Sequence, residues 1–262
     1  MKNELIQIKP KNIFSLISKT FSLYFRFFPQ IFSIVILSFL VSNFAWSLAT
    51  ADSLLVKIVG VTIILISFPC SLISGWTIYK VTMQAYCGEV INWKAAFCSA
   101  KENFVSCLKN YLTITALLIS PFLLKFFNFY VIDYFITNSF LISVLQFAIM
   151  FAAIYCINTA LNICLAFPVT FVEGVKGYAG WKRSKELVKG SKMRLLATFL
   201  LSFILMFVGV LAVSTVFIFL DLGFSSKIIY NFAGGFASFT IPILYTLFYY
   251  DIIARKQLQS NA

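Results

Sequence analysis

Long apolar runs alternate with short basic segments along the whole chain. A helix that spans a bilayer needs about 20 predominantly apolar residues. Six runs meet that length, and they cover residues 31–50, 58–79, 111–132, 140–167, 195–220 and 228–250. The pattern therefore predicts an all-α, polytopic membrane protein, with six transmembrane helices in a single domain over residues 1–262.

The basic segments between these runs have a helical pattern of their own. In the first segment, polar side chains recur at spacings of three and four, at Lys11, Ser15, Lys19, Ser22 and Arg26. Similar stripes run from Trp93 to Tyr111 and from Trp181 to Leu195. This periodicity predicts three amphipathic helices that lie at the membrane surface. Each would precede a transmembrane hairpin, which divides the domain into three units over residues 1–80, 81–167 and 168–262.

The distribution of charge orients the predicted spans. Eighteen of the 21 lysine and arginine residues lie in four segments, residues 1–28, 80–110, 169–194 and 251–262. Loops rich in lysine and arginine stay in the cytoplasm. We therefore expect both termini and all three interfacial helices on the cytoplasmic side of a multi-pass protein.

The composition indicates which partners the chain can bind. It is 61% hydrophobic, which is too apolar for a soluble domain, so lipid is the expected solvent. The net charge of +12 flanks the apolar runs and does not form a separate basic domain. Anionic lipid headgroups are thus the predicted partners, a membrane protein is a second candidate partner, and nucleic acid is not expected.

The residues that catalysis usually requires are scarce. The sequence has no histidine, so neither a Ser-His-Asp arrangement nor an imidazole metal site can form. Its six cysteines show no Cys-x-x-Cys spacing and are expected to be reduced packing residues. We therefore expect no catalytic residues, no metal and no cofactor, and a lipid-modifying enzyme is the least favoured interpretation.

Two groups of residues are candidates for binding. The first is a basic belt before the fifth predicted span, formed by Lys182, Arg183, Lys185, Lys189, Lys192 and Arg194. This belt could bind lipid phosphates, or it could only hold the loop in the cytoplasm. The second is the pair Asn158 and Asn162, four residues apart within the fourth predicted span. These amides more often join neighbouring helices, although they could also line the path of a transporter or permease for a lipid or another hydrophobic molecule.

Two stretches in the last hundred residues carry a family resemblance. "FPVTFVEG…WKRSKELVKGSKMRLLATFLL" and "PILYTLFYYDIIARKQ" resemble a bacterial six-span family that includes the membrane domain of some glycerophosphodiester phosphodiesterases and many stand-alone members. The resemblance implies a bacterial inner-membrane protein. It does not imply hydrolysis, because in that family the chemistry belongs to a separate soluble barrel. It suggests as fold-defining positions Glu173, Gly174, Ser184, Gly190, Asp251 and Arg255.

Asp251 and Arg255 are four residues apart at a helix end, where they could pair with each other or with the basic belt. The function that these observations favour is a non-enzymatic membrane protein that organises or binds anionic lipids or partner membrane proteins. A transporter or permease is the alternative.

Overall fold

A computed structural model describes residues 10–127, 139–219 and 239–260. In these residues all regular secondary structure is helical. The helices are α1 (Ile13–Arg26), α2 (Phe28–Ala49), α3 (Leu54–Tyr86), α4 (Trp93–Glu102), α5 (Phe104–Phe127), α6 (Ser139–Ile163), α7 (Ala166–Val172), α8 (Gly177–Val188), α9 (Lys192–Phe219) and α10 (Thr240–Ser260). The prediction of an all-α protein is confirmed for this part of the chain.

Among the described residues, three helical segments are long and apolar enough to cross a membrane. They are Leu54–Tyr86, Gln146–Val172 and Lys192–Gly209. The shortest has 18 residues, which at 1.5 Å per residue rise about 27 Å, close to the thickness of a hydrocarbon core. Only 6% of the apolar 18-residue stretch within α3 is buried inside the protein, so the side chains of this stretch require an apolar solvent. Membrane-type helices are therefore confirmed at the second, fourth and fifth predicted spans.

The other three predicted spans coincide with helices in the described residues. Residues 31–50 correspond to α2, residues 111–127 belong to α5, and residues 240–250 belong to α10. Residues 128–132, 220 and 228–238 of the predicted spans lie outside the described part of the chain. That these three helices cross the membrane stays a prediction.

The chain divides into two compact units, one formed by Met1–Phe104 with Leu196–Ala262 and the other by Val105–Leu195. In the first unit, α10 packs against α1 and α3. Its contact side is apolar and almost fully enclosed, with Ile243, Leu247, Phe248 and Ile252 at 1% exposure or less. From α1, Leu16 and Ile17 are buried in the same unit. The predicted organisation as one domain of three units stays a prediction.

Two close contacts fix the helices that open the first unit. Gly60 of α3 lies against α2, and a β-carbon there would be 2.7 Å from the Ala45 carbonyl oxygen. Glycine is therefore the residue that permits this close hairpin. Phe27, which alone separates α1 from α2, is 2% exposed and packs edge-to-face on Trp93 with ring centroids 5.9 Å apart.

The second unit is built around a buried stretch of α6 and α7. Residues 162–171 are buried without interruption, and α8 packs against both of these helices. Fully enclosed side chains in this stretch include Leu165 and Val169. Helix α8 is therefore packed against the most buried part of this unit.

Each of the three basic segments contains a helix, but two predicted stripes are divided. The stripe from Trp93 to Tyr111 breaks at Asn103, whose Nδ2 donates to the Ser99 carbonyl oxygen at 2.8 Å and ends α4. The stripe from Trp181 to Leu195 breaks at Gly190, where φ is 85°. A side-chain cap and a left-handed glycine both end helices, so neither stripe forms one continuous helix.

Candidate lipid-binding site

The turn between α7 and α8 positions the basic belt. Gly174 and Gly177 have φ angles of 71° and 61°, a conformation that other residues rarely adopt. The Gly177 N–H donates to Ser106 Oγ at 3.3 Å, which joins the start of α8 to α5. The Glu-Gly turn that the sequence suggests as fold-defining thus has a backbone requirement for glycine.

The inner face of α8 is fixed to the second unit by packing and polar contacts. Its buried residues are Gly180, Ser184, Leu187 and Val188. Ser184 Oγ donates to the Asn162 carbonyl oxygen at 2.7 Å, and Trp181 Nε1 donates to Asn110 Oδ1. The four buried residues of α8 recur at the spacing of one helix face, so the opposite face of α8 points away from the unit.

Arg183 is bound within the protein. Its Nε donates to both Glu173 carboxylate oxygens, at 2.9 and 3.2 Å, and its Nη1 lies 4.0 Å from Glu186 Oε2. The Glu173 side chain is 22% exposed and that of Arg183 is 43% exposed. The two partners compensate the charge of Arg183, so this residue adds little to the outward potential of the belt.

The outer face of α8 presents lysines beside an aromatic ring. Lys182, Lys185 and Lys189 are exposed, and Tyr178 is 79% exposed. At about 100° per residue, Tyr178, Lys182 and Lys185 lie within about 60° of one another, and each is about 100–160° around the helix from the buried Ser184. This face combines ammonium groups with an amphipathic ring, which suits the headgroup layer of a membrane.

The remaining belt residues and the two candidate amides have separate surroundings. Lys192 Nζ donates to Asn158 Oδ1 at 2.9 Å, and Arg194 is half-buried. Asn158 is exposed, whereas Asn162 is buried and its side-chain oxygen has no hydrogen-bond partner among the described residues. Of the six predicted belt cations, the structure therefore leaves three lysines exposed on and beside one helix.

The last two motif residues form an ion pair in the first unit. Arg255 Nε donates to Asp251 Oδ2 at 3.0 Å, so of the two pairings that the sequence left open, the structure shows the one between Asp251 and Arg255. The Lys11 main-chain N–H donates to Asp251 Oδ1 at 2.6 Å, and Arg255 Nη2 donates to the Lys11 carbonyl oxygen at 2.8 Å. Burial and the nearby Lys19 lower the pKa of the Lys11 side chain, while Asp251 opposes that shift.

Sequence reasoning misses two of these features for different reasons. The exposed Tyr178 precedes Lys182 by four residues and Lys185 by seven, so its spacing could have placed it on the basic face. The main-chain contacts of Lys11 had no such signal, because the partners are 240 and 244 residues away.

Neither models of protein families, nor curated proteins, nor solved structures match this chain. In the described residues, no three His, Cys, Asp or Glu side chains form a group that could hold a metal ion. The six cysteines, all of which lie in the described residues, are free. The site combines exposed lysines and an aromatic ring on a helix that packs against the apolar segment Gln146–Val172.

Proposed function

We propose that this chain is a non-enzymatic protein of the bacterial inner membrane that binds anionic lipid headgroups through the outer face of α8. The observation that carries the proposal is the orientation of this helix, with Ser184 buried and Lys182, Lys185 and Lys189 exposed. A lysine near an anionic membrane surface contributes about 1 kcal/mol of attraction. A membrane protein with an acidic cytoplasmic surface is the other partner that this face could bind.

The proposed topology has six spans, with both termini and the interfacial helices α1, α4 and α8 on the cytoplasmic side. It is supported by contacts between residues distant in sequence. Groups that hydrogen-bond outside the hydrocarbon core lie on one side of the membrane, so the chain between them crosses an even number of times. Lys11 bonds to Asp251, with six proposed spans between them. Asn110 bonds to Trp181, with two proposed spans between them.

The same proposal includes the relation to the membrane domain of bacterial glycerophosphodiester phosphodiesterases. It is supported by the structural roles of the resembling positions. Glu173 forms an ion pair with Arg183, and Asp251 forms one with Arg255. Gly174 and Gly190 have positive φ angles. Residues with such roles define a fold and do not by themselves provide an activity.

The transporter or permease remains an alternative prediction. It requires a polar path along α6 past Asn158 and Asn162. The Asn158 amide oxygen accepts a hydrogen bond from Lys192, which is the joining role that such amides commonly have.

The experiment that tests lipid binding uses the full-length protein purified with its lipids. In the triple variant K182Q/K185Q/K189Q, three contributions of about 1 kcal/mol are removed, which corresponds to about 100-fold weaker binding of phosphatidylglycerol. Native mass spectrometry in mixed phosphatidylglycerol and phosphatidylcholine micelles measures the bound anionic lipid. The matched control is K182R/K185R/K189R, which keeps the charge and should keep the lipid.

Equal retention of phosphatidylglycerol by the glutamine and wild-type proteins would contradict the proposed function. The belt would then have only a topological role. Because the three lysines are exposed, their replacement should leave folding intact. Circular dichroism of the same samples checks this.

A further inference from the structure

Helix α1 has a buried face and a second face that is not covered by the described residues. Leu16, Ile17 and Leu23 are buried in the first unit, each at 5% exposure or less. On the other side, Phe14 is 74% exposed and Phe25 is 68% exposed. Eleven residues are close to three helical turns, so these rings lie about 16 Å apart and within about 20° of the same line. They form an aromatic ridge along the outside of the helix.

A row of cations runs beside this aromatic ridge. Lys19 and Arg26 are exposed, and they lie about 100–140° around the helix from the line of Phe14 and Phe25. The sequence of α1, IFSLISKTFSLYFR, contains no acidic residue. The outer face of α1 is therefore aromatic on one side and positively charged on the other, which is complementary to an anionic membrane surface.

Both ends of α1 are held at places where a helix changes from apolar to polar. At its start, the main chain of Lys11 bonds to Asp251 and Arg255, which follow the apolar part of α10. At its end, Phe27 alone separates α1 from the apolar helix α2. If α2 and α10 are spans, both ends of α1 lie at the depth of the headgroups. A helix of 14 residues, about 21 Å long, then lies along the membrane surface.

We propose that α1 is a second lipid-binding element, in which Phe14 and Phe25 insert into the headgroup layer and Lys19 and Arg26 contact lipid phosphates. The occupant is the anionic membrane surface. This inference rests on the proposed membrane topology, but it does not depend on lipid binding by α8. Phenylalanine is one of the residues on the apolar face of interfacial amphipathic helices, where it is buried at the boundary between the headgroups and the acyl chains.

The first test places a photo-crosslinking phenylalanine analogue at Phe14 in the full-length protein, in native membranes. The expected product is a covalent adduct with phospholipid. Phe207 of α9, which is 52% exposed on a membrane-type helix, is the matched position for comparison. Lipid adducts at Phe207 but none at Phe14, or adducts of Phe14 with another protein, would overturn the inference. Lack of lipid adducts at both positions would overturn it together with the proposed topology.

The second test measures the contribution of the cations in nanodiscs of phosphatidylglycerol and phosphatidylcholine. The variant K19Q/R26Q loses two contributions of about 1 kcal/mol each, so α1 should prefer the anionic lipid about 30-fold less strongly. The readout is the ratio of phosphatidylglycerol to phosphatidylcholine among the lipid adducts at Phe14. The charge-preserving variant K19R/R26K should behave like the wild type. Unchanged adduct composition in K19Q/R26Q would overturn the role of the cations. K182Q/K185Q/K189Q should leave this readout unchanged, which separates α1 from α8.

Discussion

Replacing Asp251 with asparagine should destabilise the first unit by removing a buried negative charge. The Asp251 side chain is 1% exposed and accepts from the Lys11 main-chain N–H at 2.6 Å and from Arg255 Nε at 3.0 Å. Hydrogen bonds to charged groups contribute about 1.5–3 kcal/mol each. Arg255 is 35% exposed, so its share is reduced by solvent to about 1 kcal/mol. We expect D251N to lower the free energy of unfolding by about 3 kcal/mol.

The assay is equilibrium unfolding of the full-length protein in detergent, followed by circular dichroism and combined with limited trypsin cleavage after Lys11. Release of the Lys11 main chain from Asp251 should accelerate that cleavage about tenfold or more. The matched control is E186Q, which removes the same charge from an exposed side chain and should cost less than about 0.5 kcal/mol. Two results together would refute the stabilising role of the buried Asp251 carboxylate. D251N would have to be as stable as E186Q, and trypsin would have to cleave after Lys11 equally slowly in both variants.

Three other substitutions or labels test separate contacts. G60A should lower the free energy of unfolding by about 1–3 kcal/mol, because the added β-carbon would clash with α2. In the control G75A the added β-carbon would have no atom within 4 Å, so thermal unfolding should show no loss of stability. Cys107 precedes the third predicted span, and burial raises the pKa of its thiol to about 12. Because the thiolate is the reactive form, Cys107 should resist maleimide up to strongly alkaline pH, whereas the exposed Cys98 should react. E173Q removes the charge of the closer of the two acidic partners of Arg183, and it should increase phosphatidylglycerol retention up to about fivefold in native mass spectrometry. Equal labelling of the two cysteines, or unchanged retention, would contradict the respective contact.

The helices themselves could be predicted because their signals are local. Length and apolar composition identify the segments Leu54–Tyr86 and Lys192–Gly209 without knowledge of any contact. The breaks at Asn103 and Gly190 were not predicted. Periodic spacing continues through both positions, whereas the actual helix ends depend on a side-chain cap and on a left-handed backbone.

The candidate site could be predicted only as far as helical spacing reaches. Spacing places Lys182 and Lys185 about 160° and 100° around the helix from Ser184, and it allows the pairing of Asp251 with Arg255. It cannot show that Arg183 is bound to Glu173 or that Lys192 is bound to Asn158, since those partners lie 10 and 34 residues away. The predicted belt of six cations is therefore reduced to three exposed lysines by contacts that form only after folding.

The hydrogen bond between Lys11 and Asp251 also sets an order of events during synthesis. After Lys11, the ribosome adds 240 residues, up to and including Asp251, in about 10–50 s at the usual rates of translation. During that interval α1 exists without α10, the helix against which it packs in the folded protein. The contact can form only after α10 has been made, so the start of α1 is fixed later than the helices between them. In a chain that lacks α10, the Lys11 main chain would lack the partners Asp251 and Arg255.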